Sequence, residues 1–169
     1  MLLNLDTIPP FYKNYVKLVD ETDVVQAMRV SGYRTLELVH SIKPALADHA
    51  YAPGKWTVRE LLCHMIDAER IFAYRALRFA RNDKTPLAGF EENDYAPQAN
   101  AAHRDLKKIA SEMSHLRQCS VDLFESFSEE MLWRKGMANN NELSVLAIGF
   151  IIAGHETHHR KILAERYLA

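Results

Sequence analysis

The sequence has no surplus of positive charge. Its formal net charge is −1, with 21 Lys and Arg against 22 Asp and Glu. Nothing in that balance points to nucleic acid as a partner. A long apolar run is also missing. The longest nearly apolar stretch, Leu143 to Gly154, is about 12 residues, where a membrane span needs roughly 20. The start, MLLNLD, has no basic flank and meets Asp6 early, so a signal peptide is not expected. These absences lead to the expectation of a cytoplasmic protein with neither a membrane nor a nucleic-acid partner.

Cysteine is scarce. The two present, Cys63 and Cys119, lack paired-ligand spacing and fall in helical patterns, so both are expected to be buried apolar thiols. Glycine and proline, at six each, fall between periodic segments rather than within them. Alternating runs that would signal strands are absent, as are internal repeats. At 169 residues the chain is expected to form one domain over 1–169, large enough for a substantial core.

What the sequence does contain is helical periodicity. One helix should begin near Thr22 or Asp23, with Val25, Met28, Gly32, Leu36, Val39 and Ile42 as its apolar stripe and Pro44 near its end. A second should begin at Thr57, where Thr57 and Glu60 have the spacing of a capping box, and run to about Ala80. Residues 82–100 read as a long crossover loop, a length often tied to function. A third helix is expected over about Ala101 to Phe127, with a stripe through Leu106, Ile109, Met113, Leu116, Ser120, Leu123 and Phe127. FSEEMLW suggests a short helical turn and GMANNNE a loop. Ser144 is the candidate cap of a fourth helix ending near Tyr167. Four long amphipathic segments imply an all-α four-helix bundle. The first 20 or so residues are expected to pack across one end of it.

Eight histidines are present, and three fall within GHETHH, Gly154 to His159. With His155 at zero on a helical wheel, Ile148, Ile151, Ile152 and Ile162 lie at about +20°, −40°, +60° and −20°. His155 and His159, at about +40°, therefore sit inside the apolar stripe. His158 falls on its margin and Glu156 outside its densest part. A buried imidazole without partners costs roughly 1–3 kcal/mol. Two such rings one turn apart are explained either by hydrogen bonds to core hydroxyls or carboxylates or, the favoured reading, by a shared divalent cation. The pattern H-E-x-x-H also suggests a zinc peptidase. One version of that motif wants a glutamate about twenty residues on, past Ala169; the other wants a histidine where Glu165 stands. A third ligand is instead expected from another helix. His64, flanked on its wheel by Leu61, Ala68 and Ile71, is the best placed.

His158 is expected to be a surface group or a partner of a ligand. Glu156 is a candidate base, with a solvated or salt-bridged flank as the plainer reading. Arg75 is a candidate holder of an anionic substrate end; pairing with a carboxylate on a neighbouring helix is the plainer reading. Asp67, three residues from His64, reads as a surface charge, with support of that histidine as the alternative, and Trp56 as a packing anchor. His40, His49, His103 and His115 are expected to be wet.

The stretch YAPGKWTVRELLCHMIDAERIFAYRALRFAR, followed at distance by AGHETHHRKILAERY, resembles the DinB-like superfamily. The resemblance covers most of the chain. It implies a metal-binding four-helix bundle, often dimeric, with ligands at His64, His155 and His159. Some members are similar to thiol-dependent S-transferases or isomerases that use bacillithiol or mycothiol. The expectation is a metal-dependent enzyme holding one Zn²⁺ or Ni²⁺. It would transfer a low-molecular-weight thiol to an electrophilic small molecule, with the 82–100 loop covering the electrophile. A metal-dependent hydrolase and a non-catalytic metal-binding or interaction protein are the alternatives. A homodimer is a further possibility, since the apolar run near Leu146 to Ile152 leaves room for a helical interface.

Overall fold

The computed structural model describes residues 3–168; Met1, Leu2 and Ala169, the ends of the expected domain, lie outside the described residues. Seven α-helices and one hairpin are defined among the described residues. They are α1 (Pro10–Val16), α2 (Val24–Ser41), α3 (Val58–Ala80), α4 (Glu92–Tyr95), α5 (Leu106–Glu125), α6 (Glu129–Trp133), β1 (Lys135–Ala138), β2 (Asn141–Ser144) and α7 (Val145–Ile162). Four of these, α2, α3, α5 and α7, form the bundle. No helix among the described residues is long and apolar enough to cross a membrane.

Side-chain caps start the long helices where the sequence places them. The Asp23 carboxylate accepts from the Gln26 N–H ahead of α2. Thr57 and Glu60 close both halves of the capping box on α3. The Ser144 hydroxyl accepts from Ala147 N–H at the start of α7. The third long helix starts later than expected. Ala101–His103 is a separate 3₁₀ turn, and the Asp105 carboxylate takes the Lys107 and Lys108 N–H groups to begin α5.

Around the bundle, α2 packs against α5 and α7, and α3 packs against the same two. Helices α2 and α3 thus face each other across the bundle, as do α5 and α7. The connections spanning 42–57 and 126–144 run diagonally, while residues 81–105 join the neighbours α3 and α5. GMANNNE, expected as a loop, is the antiparallel hairpin β1–β2, with Ala138 opposite Asn141. Asn139 and Asn140 take φ of 49° and 58°. Both central residues of a tight primed hairpin turn need positive φ, and asparagine tolerates it. An Asn-Asn turn was the available signal.

Two further expectations are corrected. Cys119 is exposed, because the α5 stripe runs through Arg117, Ser120, Val121 and Phe124 and leaves it on the outer side. Helix α1 lies along the middle of α7 rather than across the bundle end. The carbonyl oxygen of Tyr15 stands 2.2 Å from where a Cβ on Gly154 would be. Gly154 is there to admit the α1 backbone.

Helix α7 is the central element. Every residue from Val145 to Thr157 is buried within this chain, covered by α1, α2, α3 and α6. A helix apolar on all sides is a core helix, so the Leu146 to Ile152 face is not free for a second copy.

The core is divided. One apolar cluster holds Met28, Phe79, Phe124 and Ile148; the other holds Val39, Leu62, Ile109 and Leu163. Between them runs a polar layer through all four long helices, including Ser31, Thr35, His64, Glu69, Arg117, Ser120, His155, Glu156 and His159, all buried. Arg117 is its knot. Its Nε and Nη2 donate to the two Glu69 oxygens at 2.9 and 2.8 Å. Its Nη1 lies 2.7 Å from Glu156 Oε2, 2.7 Å from the Met28 carbonyl and 2.9 Å from Ser31 Oγ. Gly32 makes room for it: a Cβ there would lie 2.9 Å from Arg117 Nη1. Ser31 in contact with Arg117 explains why the buried side of α2 is rotated toward Ala27, Ser31 and Thr35 rather than Val25 and Leu36.

Removing one partner of a buried ion pair strands the other charge, at about 3–5 kcal/mol. Arg117→Met leaves Glu69 and Glu156 buried together. We expect it to lower unfolding stability by about that amount, read as the urea midpoint times an unchanged m-value. Glu69→Gln keeps one carboxylate on the arginine and should cost less. Equal midpoints for Arg117→Met and the unmodified chain would refute the role given to this knot.

Candidate metal centre

His64 comes from the second turn of α3, and His155 and His159 from successive turns of α7. Because α3 and α7 are neighbours, the three rings meet. His155 Nε2 lies 3.1 Å from His64 Nε2 and 3.1 Å from His159 Nε2. One ligand nitrogen from each ring falls within 4.8 Å of the other two. Two imidazole nitrogens about 2.0–2.1 Å from one ion stand roughly 3–3.4 Å apart. The spacing therefore suits a common divalent cation. The contacts also fit an ion better than direct hydrogen bonding. A ring nitrogen carries either a proton or a lone pair, so His155 Nε2 is poorly served by two imidazole nitrogens at once.

Burial holds all three rings in the ligand form. It pushes His64 down to about 4, His155 well below the usual imidazole range, and His159 to about 2. For His155 and His159 the neighbouring imidazoles add to the effect. At neutral pH no proton competes for the lone pairs.

The cluster opens onto a cavity of about 310 Å³. Tyr12, Tyr15, Trp56, Phe72, Arg75 and His158 are among its walls. Trp56 is more than a packing anchor, since its ring centroid lies 4.8 Å from that of His64. The Tyr15 ring stands edge-on to His155 and His158, at 5.3 and 5.4 Å. Burial and the nearby Glu92 carboxylate push the Tyr15 phenol up, so it keeps its proton. The 82–100 segment supplies Phe90 and Glu92 to the wall, which places it over the cavity. It is pinned to the hairpin turn by Leu87, whose N–H donates to the Met137 carbonyl at 2.9 Å. A second cavity of about 230 Å³, with Tyr51, Lys55 and Tyr167 on its wall, also reaches Trp56 and His159.

The remaining candidates separate cleanly. Glu156 lies next to His155 but its carboxylate is bound to Arg117, so its flank is salt-bridged and buried rather than solvated. Burial pushes its carboxyl up, Arg117 opposes this, and Glu69 adds to the rise. Arg75 lines the cavity, and no carboxylate of the described residues pairs with it, against the plainer expectation of an ion pair. His158 is half-buried in the cavity wall. Asp67 is a partly exposed charge 3.6 Å from Arg70. His40, His49, His103 and His115 are exposed. The Cys63 sulfur faces Arg104 at 3.3 Å, away from the cluster.

Sequence reasoning missed Arg117, Glu69, Tyr12 and Tyr15. Arg117 had a signal: four residues after Met113 and three before Ser120, it falls within the α5 stripe, and a cation there needs a buried anion. The tyrosines had none, because α1 is too short to show a period.

The histidine shifts give a pH dependence. Unfolded, each ring takes a proton near pH 6.5; folded, it does not until much lower. Where the unfolded state binds more protons, stability rises with pH. The metal-free protein should therefore be fully stable in this respect above pH 6.5 and weaken on acidification toward pH 4. The loss is on the order of 2 kcal/mol each for His64 and His159 between pH 6.5 and 5, with His155 acting in the same direction. Urea midpoints at pH 7.5 and 5 check this. Equal midpoints would mean that the rings accept protons within the fold.

Comparison with known proteins agrees with this arrangement. A relative from Oceanobacillus iheyensis, provisionally named a metal-dependent hydrolase, is 26% identical over 125 residues, 73% of this chain and 71% of the relative. Among solved structures, YfiT from Bacillus subtilis superposes with a TM-score of 0.75 at 16% identity, covering 84% of this chain and 82% of that one. It is described as a probable metal-dependent hydrolase with an unusual four-helix bundle topology. A mycothiol-dependent maleylpyruvate isomerase superposes at 0.66 with 11% identity, over 99% of this chain and 64% of that one. These likenesses establish the fold. The family model of the DinB superfamily matches residues 27–163, which take in α3, α5, α7, nearly all of α2 and all three histidines, and the chain belongs to that superfamily.

Proposed function

We propose that the chain is a metal-dependent hydrolase of a small molecule, working as one cytoplasmic domain. The observation that carries this is the set of three neutral imidazoles facing a cavity of about 310 Å³. Structural zinc sites close with four protein ligands, whereas catalytic ones use three and keep a position free. No fourth Cys, Asp or Glu joins the cluster among the described residues. A non-catalytic role fits this less well. Zn²⁺ suits three nitrogens, as does Ni²⁺. The curated relative named as a hydrolase, and the similar structure so described, support hydrolysis ahead of thiol transfer.

The residues take distinct parts. His64, His155 and His159 would hold a divalent cation, with their Nε2 atoms turned toward one another. A cation bound there would supply Lewis acidity, lowering the pKa of a water toward neutrality. Tyr15, with its proton retained, can donate from its hydroxyl to charge developing on the substrate. His158, half-buried beside it, is held below the usual imidazole range by burial and by Arg166 and Lys161, so it is neutral and able to take a proton. Glu156, considered from sequence as the base, instead positions α7 through Arg117. Trp56, Phe72 and Phe90 exclude bulk water.

Thiol transfer remains the second reading, for a specific reason. Two cavities meet at Trp56 and His159, and a two-substrate reaction needs two approaches to one centre.

The test begins with metal content. His64→Ala and His155→Ala should each lower affinity for Zn²⁺ by roughly 100-fold or more, since even groups that only orient a ligand cost 10–100-fold. His158→Ala should keep its metal but lose turnover. Loaded protein should hydrolyse members of a panel of aryl esters and amides, with activity lost on chelation and restored by Zn²⁺. Full metal retention by His155→Ala would overturn the site. Metal bound without hydrolysis, together with conjugation of monochlorobimane to small thiols, would replace the first reading with the second.

A further inference from the structure

Arg75 is 2% exposed, yet no Asp or Glu of the described residues lies within salt-bridge distance of it. The contrast with Arg117 is direct: one buried guanidinium has two carboxylates and the other has none. Burying an unpaired charge is strongly unfavourable, so such a group either shifts its protonation or meets a partner. Arginine does not deprotonate in proteins. Burial does pull Arg75 down, with the Tyr12 phenol opposing.

Its local contacts satisfy only part of the group. Nη2 donates to the Ala88 carbonyl at 2.9 Å. Cζ lies 5.7 Å from the Phe72 ring centroid. A guanidinium carries five N–H donors; Ala88 takes one and the Tyr12 phenol is a second, neutral partner, which leaves the charge without an anion. The group lies in the wall of the same cavity as the three histidines. Phe72 links the two, since its centroid is also 6.1 Å from that of His155. Guanidinium and imidazole are therefore separated by at most the sum of those distances, about 12 Å. The one acid in the cavity wall, Glu92, acts on Tyr15 instead and forms no ion pair with Arg75.

The geometry points to an anion-binding subsite at Arg75: the substrate is a small molecule with a carboxylate or similar anionic end seated on this guanidinium, and its reacting group reaches the histidines. This rests on the three-histidine cluster being the reactive centre. A planar fork of donors fits a carboxylate in two parallel hydrogen bonds, which a neutral group does not reproduce. With a divalent cation on the histidines, Arg75 and the centre both attract negative charge, and only Glu92 opposes them. Neutral analogues of the same length should bind more weakly because they leave the arginine unpaired.

Two probes that differ only at the far end test this: 6-mercaptohexanoate and 6-mercaptohexanol. In Co²⁺-loaded protein, the thiolate-to-metal absorption band reports the reacting end. In metal-free protein, the Arg75 Nε–H resonance, identified by its loss in Arg75→Lys, reports the other. We expect the carboxylate to bind at least roughly 10-fold more tightly than the alcohol and to shift the Arg75 resonance when the alcohol does not. The affinity gap should vanish in Arg75→Met and persist in part in Arg75→Lys, which keeps the charge. Equal affinities for acid and alcohol in the unmodified protein would overturn the subsite. So would a gap unchanged in Arg75→Met. A shifted Arg75 resonance with no cobalt band from either probe would sink the metal reading while leaving the anion subsite standing.

Discussion

The bundle depends on one buried cation. Arg117, on α5, hydrogen-bonds to Glu69 on α3, to Glu156 on α7, and to the Met28 carbonyl and Ser31 on α2. It thus touches every long helix at one level. Burial alone would lower its pKa, but the two carboxylates more than offset that and hold the proton firmly. An apolar core tolerates small rotations of its helices; a bidentate arginine does not, because its donors have fixed directions. The carboxylates that it holds sit next to His155 in sequence and five residues beyond His64. Fixing Glu156 and Glu69 therefore fixes how α7 and α3 are turned, and that turn brings three imidazoles together.

The polar layer splits the core into two apolar clusters. Such a layer is costly unless its members satisfy one another. Ser31, Glu69 and Glu156 do so through Arg117. What is left over is informative: Thr35 Oγ1, Ser120 Oγ and His159 Nδ1 are buried in this layer without partners among the described residues. A protein selected for stability alone would fill the same space with apolar side chains, often at no loss. The layer is better understood as the support of the site, with stability given up for placement.

Around the site, charge is distributed with purpose. The ligand histidines are neutral because they are buried. Tyr15 keeps its proton for the same reason, with Glu92 adding to the effect. Arg75 keeps its charge because arginine has no accessible neutral form. One cavity thus offers lone pairs, a hydroxyl and a fixed cation. Helix α1 contributes to this wall only because Gly154 lets its backbone approach α7, so the glycine of GHETHH shapes the cavity that its histidines line.

The sequence by itself determined that four long helices form and where three of them begin, because caps and period are local. Asp23, Thr57 with Glu60, and Ser144 each announce a start through hydrogen bonds within four residues. It also marked His64, His155 and His159 as facing the core, where they are buried together, since helical phase says which residues share a face. It misjudged what phase cannot see. The Asn139–Asn140 hairpin is too short to alternate visibly. Cys119 and the Leu146 to Ile152 face depend on which neighbours cover a helix, and that is set by the diagonal connections. Only the tertiary structure decided that Arg117 is paired and Arg75 is not. Both are arginines on amphipathic helices, and the difference lies in whether a carboxylate from a distant part of the chain arrives within hydrogen-bond reach, which no local pattern encodes.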